Sequence, residues 1–417
     1  MHIKTLLNYA TKFKGFVFEK INLEQSRNEL VVWVVPRKNS KPICSCCELS
    51  GGVYDHLNER YFLLPPIWAI KVTLAYRMRR VNCRHCDKIV VEKVPWSIGK
   101  SPVTKPFATF LAHWTRKISW QDAAKAFNIS WDMVASSVIW AVEWGLAHRD
   151  LDNITAIGVD EIKYKKGPKY LTLVYQIDKN CRRLIWIGKK HRKKTLLAFF
   201  NFIGPEKCKK IEFVCSDMWQ PYLSAIAERL SHAVHVLDRF HIVVNLNKAI
   251  EKIRRAEVAK LKSEGKPAYL KKSRWLLLKK KSNLRGKQRT CLRELLTMNL
   301  RVVKAYLFKE NFDHLWTYNH PNWAGRFIDQ WTRDVMRHRS LPELKKFART
   351  IRNHKELILN YFRAKKEFSS GVVEGFNNKA KLTIRKSYGF RSDKIRDTAL
   401  YHTLGNLPLP LNTHKFF

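Results

Sequence analysis

The fold of this chain is decided by residues 154–178, which read ITAIGVDEIKYKKGPKYLTLVYQID. The two apolar runs in this stretch, at 154–160 and 170–178, are rich in β-branched and aromatic residues and therefore predict two strands. Three more strand-like runs follow, namely RLIWIG, IEFVCSD and AVHVLD, with one clear helix after IEFVCSD. This order of elements indicates an α/β core over residues 151–245.

The segments on either side of this core differ from it. The first hundred residues read as short strands and turns, with LVVWVVP at 30–36 and IKVTLAYRMRRVNC at 70–83. Helical periodicity dominates both before the core and in a long segment after it, and a Ser-Ser-Gly break at 369–371 precedes a last helix. The sequence therefore predicts a multidomain α+β protein built from five segments: 1–100, 101–150, 151–245, 246–366 and 367–417.

The charge balance is strongly basic. The 417 residues include 79 Lys and Arg against 35 Asp and Glu, a formal net charge of +44. Self-repulsion of this size calls for a polyanionic partner, with nucleic acid favoured over an anionic membrane surface. The 45% of hydrophobic residues exclude wholesale disorder. No apolar run reaches the roughly 18 residues of a membrane span, and the chain begins without a signal-peptide pattern, so we expect a soluble, cytoplasmic protein.

The odd number of cysteines, nine, argues against a disulfide framework. Four of them form two Cys-x-x-Cys pairs: Cys44 with Cys47, and Cys83 with Cys86. Two tight turns that each present two thiolates predict a closed Zn²⁺ site, which is structural and carries no chemistry. Cys46 and His85 lie inside the pairs and are alternative ligands. The competing interpretation is a set of incidental, buried cysteines.

Residues 119–145 predict a helix-turn-helix. Ser119 and Ser130 are suited to cap the two helices, and the short connection at 128–129 is typical of this motif. The second helix would expose Ser136 and Ser137 in the major groove, together with Asp132 and Met133. A plain helical hairpin without DNA contact is the alternative.

Three acids are candidates for catalysis. Asp160 and Asp217 end apolar strands, and Glu374 lies in the helical stretch VVEGFNNKAKL. Carboxylates at such positions are costly to desolvate unless cations lie between them. Two Mg²⁺ ions satisfy this requirement, and such ion pairs support cleavage and transfer of phosphodiesters.

Other acids compete for these roles. Glu161 adjoins Asp160, but successive strand residues point to opposite faces, so only one of them can face the site. Asp178 and Asp238 also end strand-like runs, and Asp238 has Arg239 and His241 close by. On the last helix one face combines Glu374 with amides and an ammonium group: Asn377, Asn378 and Lys381. A solvated polar face is the alternative there.

Several phrases in a fixed order resemble the ISL-three family of bacterial insertion-sequence transposases. They are IGVDEIKYKKGPKYLTLVYQID, CSDMWQPYLSAIAERL, VLDRFHIVVNLNKAIEKIRR and GVVEGFNNKAKLTIRKSYGFR, together with the two Cys-x-x-Cys pairs and the helix-turn-helix. The resemblance implies an RNase H-like core interrupted by a long helical insertion. It also implies that Asp160, Asp217 and Glu374 are the catalytic triad. The chain departs from the family at Cys46, which makes the first knuckle CSCC.

The long helical segment between Asp217 and Glu374 is biased in charge. Residues 241–310 contain 20 Lys and Arg against 5 Asp and Glu, which indicates contact with the DNA backbone. The residues expected to contact DNA are Arg79, Arg80, Ser136, Ser137, Lys279, Lys280, Lys281, Asn378, Lys381 and Arg385.

Taken with the resemblance, these patterns predict a DNA transposase. Its N-terminal modules would bind the terminal inverted repeats, and the core, with Mg²⁺ or Mn²⁺, would cleave a strand at the element end and join it to target DNA. The resemblance also implies a homo-oligomer on paired ends. The alternatives are a non-catalytic DNA-binding regulator with a retired core and a nuclease that does not join strands.

Overall fold

A computed structural model describes residues 3–165, 167–266, 269–366, 371–387 and 389–410. The chain divides into two compact units. Unit 1 comprises the residues up to Asp150 and those from Thr383 onward, and unit 2 comprises Leu151–Leu382. The final predicted segment, 367–417, is thus divided between the units. Both units mix helices with a sheet, in agreement with the predicted α+β class. In the described ranges no helix has the length and apolarity needed to cross a bilayer.

Helices and strands alternate in groups along the described chain. In sequence order the elements are α1 (Ile3–Ala10), β1 (Phe16–Glu24), β2 (Glu29–Pro36), β3 (Gly52–Ile67), β4 (Ile70–Cys83), β5 (Lys88–Val91), α2 (Lys105–Trp114), α3 (Trp120–Ala126), α4 (Trp131–His148), β6 (Ala156–Lys165), β7 (Lys169–Asp178), β8 (Cys181–Lys189), α5 (Lys193–Ile203), α6 (Pro205–Lys209), β9 (Phe213–Ser216), α7 (Gln220–Arg229), β10 (Val234–Leu237), α8 (Arg239–Ser263), α9 (Arg274–Leu278), α10 (Gly286–Leu296), α11 (Arg301–Asp313), α12 (Pro321–Arg337), α13 (Pro342–Asn353), α14 (Lys355–Arg363), α15 (Gly371–Lys386) and α16 (Asp393–Leu404).

The sheet of unit 1 has the order β1-β2-β4-β3, and β5 pairs with the end of β4. The predicted strands at 30–36 and 70–83 are confirmed as β2 and β4. β3 contains two prolines, which a sheet accommodates because β3 is an edge strand. The core packs around Trp96, which is fully buried and whose ring centroid lies 4.8 Å from that of Phe16 and 5.3 Å from that of Tyr76.

The two helices predicted at 119–145 are confirmed as α3 and α4. The hydroxyl oxygens of Ser119 and Ser130 cap them, accepting hydrogen bonds from the backbone N–H groups of Asp122 at 3.0 Å and Met133 at 3.2 Å. Asn128, in the turn between them, has a φ of 49°, a left-handed conformation that asparagine tolerates better than most residues. The helices therefore form where their caps predict them.

The sheet of unit 2 has the order β10-β9-β6-β7-β8. β6, β7 and β8 form an antiparallel meander, whereas β9 and β10 run parallel to β6. All five strand-like runs of the sequence are confirmed in this sheet. The register aligns Gly158 with Cys215 and Ser216 with Leu237. Continued by two residues from the first pair and by one from the second, this register places Asp160, Asp217 and Asp238, the residue after β10, side by side across the three strands.

Helices α8 to α14 pack around a second hydrophobic core in unit 2. Phe312 lies near its centre, with its ring centroid 4.8 Å from that of Trp331 and 5.6 Å from that of Phe347. The predicted helical character of 246–366 is confirmed. Four of the described helices were not predicted: α1, in a segment read as strands and turns; α5, whose run LLAFFNFI shows no polar face; the short α6; and α16, which follows α15.

Acid should destabilise both units, because each contains a buried, neutral histidine. Burial lowers the pKa of His235 in β10 and of His402 in α16 to about 4. The folded state thus favours the uncharged ring. The neutral rings therefore contribute their full stabilisation above pH 6.5, the ordinary pKa of histidine, and this contribution is lost as the pH falls towards 4. The free energy of unfolding should decrease by about 3 kcal/mol per histidine over this range.

Urea unfolding followed at several pH values measures this loss. His402→Gln serves as the comparison, because an amide can still donate to the carbonyl oxygen of Ala112, which Nε2 of His402 contacts at 2.8 Å, but does not titrate. The variant should lose less stability than the unaltered chain between pH 6.5 and 4. Equal losses would contradict the assignment.

Candidate active site

Asp160 was expected to end its strand, but β6 continues to Lys165, so Asp160 lies in the middle of the strand, where it is 8% exposed. Its Oδ1 accepts a hydrogen bond from the backbone N–H of Glu161 at 2.7 Å. Its Oδ2 accepts one from Nδ2 of Asn377 in α15, and Oδ1 of Asn377 accepts one from the hydroxyl of Tyr175 at 2.8 Å. α15 therefore contacts the first predicted acid directly.

The approach of α15 to the sheet depends on a glycine. A Cβ atom at Gly158 would lie 2.4 Å from Cγ2 of Val373, well inside van der Waals contact. Phe376 stacks on Tyr175 with ring centroids 5.0 Å apart. Glu374, which is half-buried, lies one helical turn before Asn377, and residues three apart share a helix face. Glu374 is thus carried on the face of α15 that contains the contact with Asp160.

Asp217 and Asp238 follow β9 and β10. Oδ1 of Asp217 accepts a hydrogen bond from the backbone N–H of Trp219 at 3.0 Å, and Oδ1 of Asp238 caps α8 by accepting one from Phe240 at 2.6 Å. Burial raises the pKa of Asp217, an effect that the Trp219 amide and His241 oppose. A carboxylate that burial destabilises in this way favours a nearby cation.

His241, in the first turn of α8, lies between two of these acids. Its Nε2 is 3.8 Å from Oδ2 of Asp160 and 3.7 Å from Oδ2 of Asp238. Burial favours the neutral ring, but the contact with Asp160 and the charges of Asp238, Asp160 and Asp217 outweigh it and raise the pKa of His241 to about 9. The imidazole therefore carries a proton at neutral pH and offsets part of the negative charge.

Glu161 was expected to be excluded from the site once Asp160 faces it, but its interaction with the charge of Asp217 makes it a further acid of the site. Burial, followed by the charges of Asp217 and Asp160, raises its pKa to about 7. Its Oε2 is buried and has no hydrogen-bond partner among the described residues. Such an atom is costly to bury, so this carboxyl offers an unused oxygen ligand close to Asp217.

The structure places some of the predicted acids near one another and separates others. The charge of Asp160 helps to raise the pKa of Asp217, whereas Asp178 lies at the opposite edge of the sheet, where it accepts a hydrogen bond from Thr155. Asp178 is thereby removed as a rival. In the described ranges, only the four cysteines form a group of three or more ligand atoms that all lie within 4.8 Å of one another. Asp160, Asp217 and Glu374 do not meet that distance.

The four cysteine thiols of unit 1 converge at the end of β4. The Sγ atoms of Cys47 and Cys83 lie 3.5 Å apart, and those of Cys44 and Cys86 lie 4.0 Å apart. A tetrahedron with Zn–S bonds of about 2.3 Å has edges of roughly 3.8 Å, so the thiols fit a zinc ion. The amide groups of Cys47 and Cys46 lower the pKa of Cys44 to about 6. Cys46 itself is exposed and lies outside the group.

Two residues expected to face DNA are buried, which corrects that expectation. Arg79 is 4% exposed because its guanidinium pairs with Glu92, with Nη2 2.7 Å from Oε2. Ser137 is 2% exposed, and its hydroxyl donates to the carbonyl oxygen of Met133 at 2.7 Å. Arg80 is partly exposed and paired with Asp55. Arg79 and Ser137 therefore stabilise unit 1 and do not present their polar groups to DNA.

The other residues of the predicted DNA surface are exposed. They are Ser136, Lys279, Lys280, Lys281, Asn378, Lys381 and Arg385. Asn377, which the sequence placed on the same polar helix face, is instead buried against Asp160 and Tyr175. The spacing of polar residues along α15 did not reveal that one of its two adjacent asparagines points inward, and nothing in the sequence identified Tyr175.

Comparison with known proteins supplies the wider context. Residues 157–395 match the model of a family described as transposase, the DDE-type ISL-three (ISL3) family. The chain is 28% identical over 331 residues to the transposase for insertion sequence element IS1001 of Bordetella parapertussis, covering 79% of this chain and 80% of the relative. It is 27% identical over 412 residues to the transposase for insertion sequence element IS1557 of Mycobacterium tuberculosis, covering 91% and 90%.

Proposed function

Because the chain belongs to the ISL-three family of transposases, we propose that it cleaves DNA at the ends of an insertion sequence and joins the freed 3′-hydroxyl to target DNA. The observation that carries this proposal is the group of acids where β9 and β10 end: the register of β6, β9 and β10 aligns the buried Asp160 and Asp238 with the half-buried Asp217. The strand order, with an antiparallel meander followed by two parallel strands on its other side, supports an RNase H-like core.

The acids fit a divalent cation by their chemistry. Oxygen ligands suit Mg²⁺ and Mn²⁺, burial raises the pKa of Asp217, and Oε2 of Glu161 is buried without a partner in the described chain. We assign Asp160, Asp217 and Glu374 as ligands. When bound, the metal activates the attacking oxygen and stabilises the leaving one. Asn377 and His241 orient Asp160 by the contacts described above.

Unit 1 supplies the proposed contacts to the terminal repeats. A Zn²⁺ held by Cys44, Cys47, Cys83 and Cys86 would stabilise the end of the β-sheet. We assign the pair α3 and α4 as a DNA-binding helix-turn-helix; the exposure of Ser136 on its second helix supports this assignment. Because Ser137 is buried, fewer residues of α4 are able to contact DNA bases than the sequence predicts. A homo-oligomer on paired ends belongs to the same proposal.

Incubation of the full chain with labelled end-repeat DNA and Mg²⁺ tests this function. A transposase gives both cut strands and joined products. Cut strands without joined products would indicate a nuclease, and binding without cutting would indicate a regulator with a retired core. Omission of the divalent ion should abolish cutting and joining but leave binding.

The basic segment before α10 should contribute affinity without sequence preference. Replacement of Lys279, Lys280 and Lys281 together by alanine removes three exposed charges. The affinity for DNA decreases with salt, and the plot of log affinity against log salt should become less steep by about 0.9 for every phosphate that a lysine no longer neutralises. In the triple variant the magnitude of this slope should therefore decrease by up to about 3.

Filter binding between low and moderate salt measures this slope for end-repeat and unrelated DNA. The triple arginine variant at the same positions is the matched control, because it keeps all three charges and should keep the slope. An alanine variant with an unchanged slope would show that this segment does not contact phosphates.

A further inference from the structure

Three aromatic rings form a continuous stack beside Asp217. The rings of Tyr170 and His191 lie with centroids 4.3 Å apart and planes inclined by 10°, and those of His191 and Trp219 lie 5.5 Å apart with planes inclined by 15°. The stack therefore ends at Trp219, only two residues after the proposed metal ligand.

Hydrogen bonds fix this stack to the sheet and to the site. Nε1 of Trp219 donates to the carbonyl oxygen of His191 at 3.2 Å, and the backbone N–H of Trp219 donates to Asp217 at 3.0 Å. The backbone N–H of Lys190 donates to the carbonyl oxygen of Tyr170 at 2.9 Å. The position of the Trp219 ring is thus tied to the position of the Asp217 carboxylate.

Packing alone does not account for Trp219. His191 covers one of its faces, yet 42% of the residue remains exposed. A large ring that is held in a fixed position and remains substantially exposed provides area for stacking at low cost in conformational entropy, since the ring is already ordered.

The surroundings of the stack are strongly basic. Residues 188–194 read GKKHRKK, and Lys190, Arg192 and Lys194 are exposed. Lys193 differs from them, because its ammonium lies 2.8 Å from Oε2 of Glu228. Cations beside a stacking ring are the combination by which proteins bind unpaired nucleic acid, with charge for the backbone and a π-face for the base.

We propose that the open face of Trp219 receives an unpaired base of the DNA strand that is cut at Asp217, while the exposed cations of 188–194 contact its phosphates. A base inside a duplex is already stacked on both sides, so within a continuous duplex this ring can accept only a base that has left the helix. The site would therefore favour frayed or distorted DNA ends. This inference rests on the proposed function and names one feature of its substrate.

Binding without divalent metal separates this inference from catalysis. The full chain is titrated with a fluorescein-labelled end-repeat duplex, either fully paired or with the same terminal nucleotides unpaired by mismatches. The unaltered chain should prefer the mismatched end. Trp219→Ala should reduce that preference by roughly 5- to 100-fold, and Trp219→Phe should keep most of it.

Trp323→Ala is the matched control. Trp323 is also exposed, at 58%, but lies at the start of α12. As a direct test of position, 5-iododeoxyuridine at the unpaired site should cross-link to Trp219 on irradiation, identified by mass spectrometry. Equal binding of paired and mismatched ends by the unaltered chain, or a preference that survives Trp219→Ala, would overturn this inference alone. Failure to bind either DNA would overturn it together with the proposed function.

Discussion

Asp160→Asn should abolish both strand cleavage and strand joining while DNA binding persists. The substitution keeps the shape of the side chain but removes the charge that a divalent cation requires. Because such metals contribute several kcal/mol of transition-state stabilisation, the rate should fall by about a thousandfold or more. The same loss is expected for Asp217→Asn and Glu374→Gln, since the proposal gives all three acids one task.

The measurement is the yield of cut and joined strands from labelled end-repeat DNA with saturating Mg²⁺. Asp178→Asn is the control, because Asp178 ends β7 at the opposite edge of the sheet and accepts a hydrogen bond from Thr155; it should leave the yield unchanged. An Asp160→Asn protein that still processed DNA would remove the catalytic assignment. Unchanged binding affinity and circular dichroism would show that the variant remains folded.

Loss of the proposed zinc should unfold much of the sheet in unit 1. Cys83 ends β4 and is fully buried, and β5 pairs with this end of β4. Structural zinc in small domains contributes an apparent binding free energy of about 10–16 kcal/mol at neutral pH. Cys83→Ser, or removal of the metal by a chelator, should therefore expose β4 and β5 to protease and weaken recognition of end-repeat DNA.

Metal analysis of the purified chain checks this result, with about one zinc per chain expected. Cys46→Ser is the matched control: it lies inside the first Cys-x-x-Cys pair but is exposed and outside the group of four thiols. It should retain the zinc and the protease resistance. A Cys83→Ser protein that kept a full zinc content would contradict the ligand assignment.

Much of the fold could be predicted because apolar runs and capping residues act locally. The five strands of the unit 2 sheet, two strands of the unit 1 sheet (β2 and β4) and the caps of α3 and α4 follow from neighbours a few residues apart. Burial of Arg79 could not be predicted, because it depends on Glu92 in the chain after β5. The contact between Asn377 and Asp160 joins residues 217 positions apart, and no local pattern contains it.

The sequence predicted about as much of the candidate site as of the fold. Asp217 and Asp238 directly follow their strands as expected, whereas Asp160, for which the apolar run ITAIGVD predicts a strand end, lies inside β6. The register that aligns the three acids is a property of the whole sheet. The rival Asp178 could be dismissed only once β7 was seen to run antiparallel to β6. The spacing of residues along the sequence predicts neither the raised pKa of His241 nor the stack at Trp219, because each arises from side chains on several different elements.

The acid cluster of unit 2 has an electrostatic consequence for a chain whose formal net charge is +44. The site concentrates negative charge in a chain that is otherwise strongly positive. His241 offsets only part of this charge, which four acids supply: Asp160, Glu161, Asp217 and Asp238. A phosphate drawn in by surface lysines would be repelled at the final step, unless cations accompany it. Occupancy by divalent ions should therefore govern how deeply DNA enters, so that loading with metal and seating of the scissile phosphate reinforce each other.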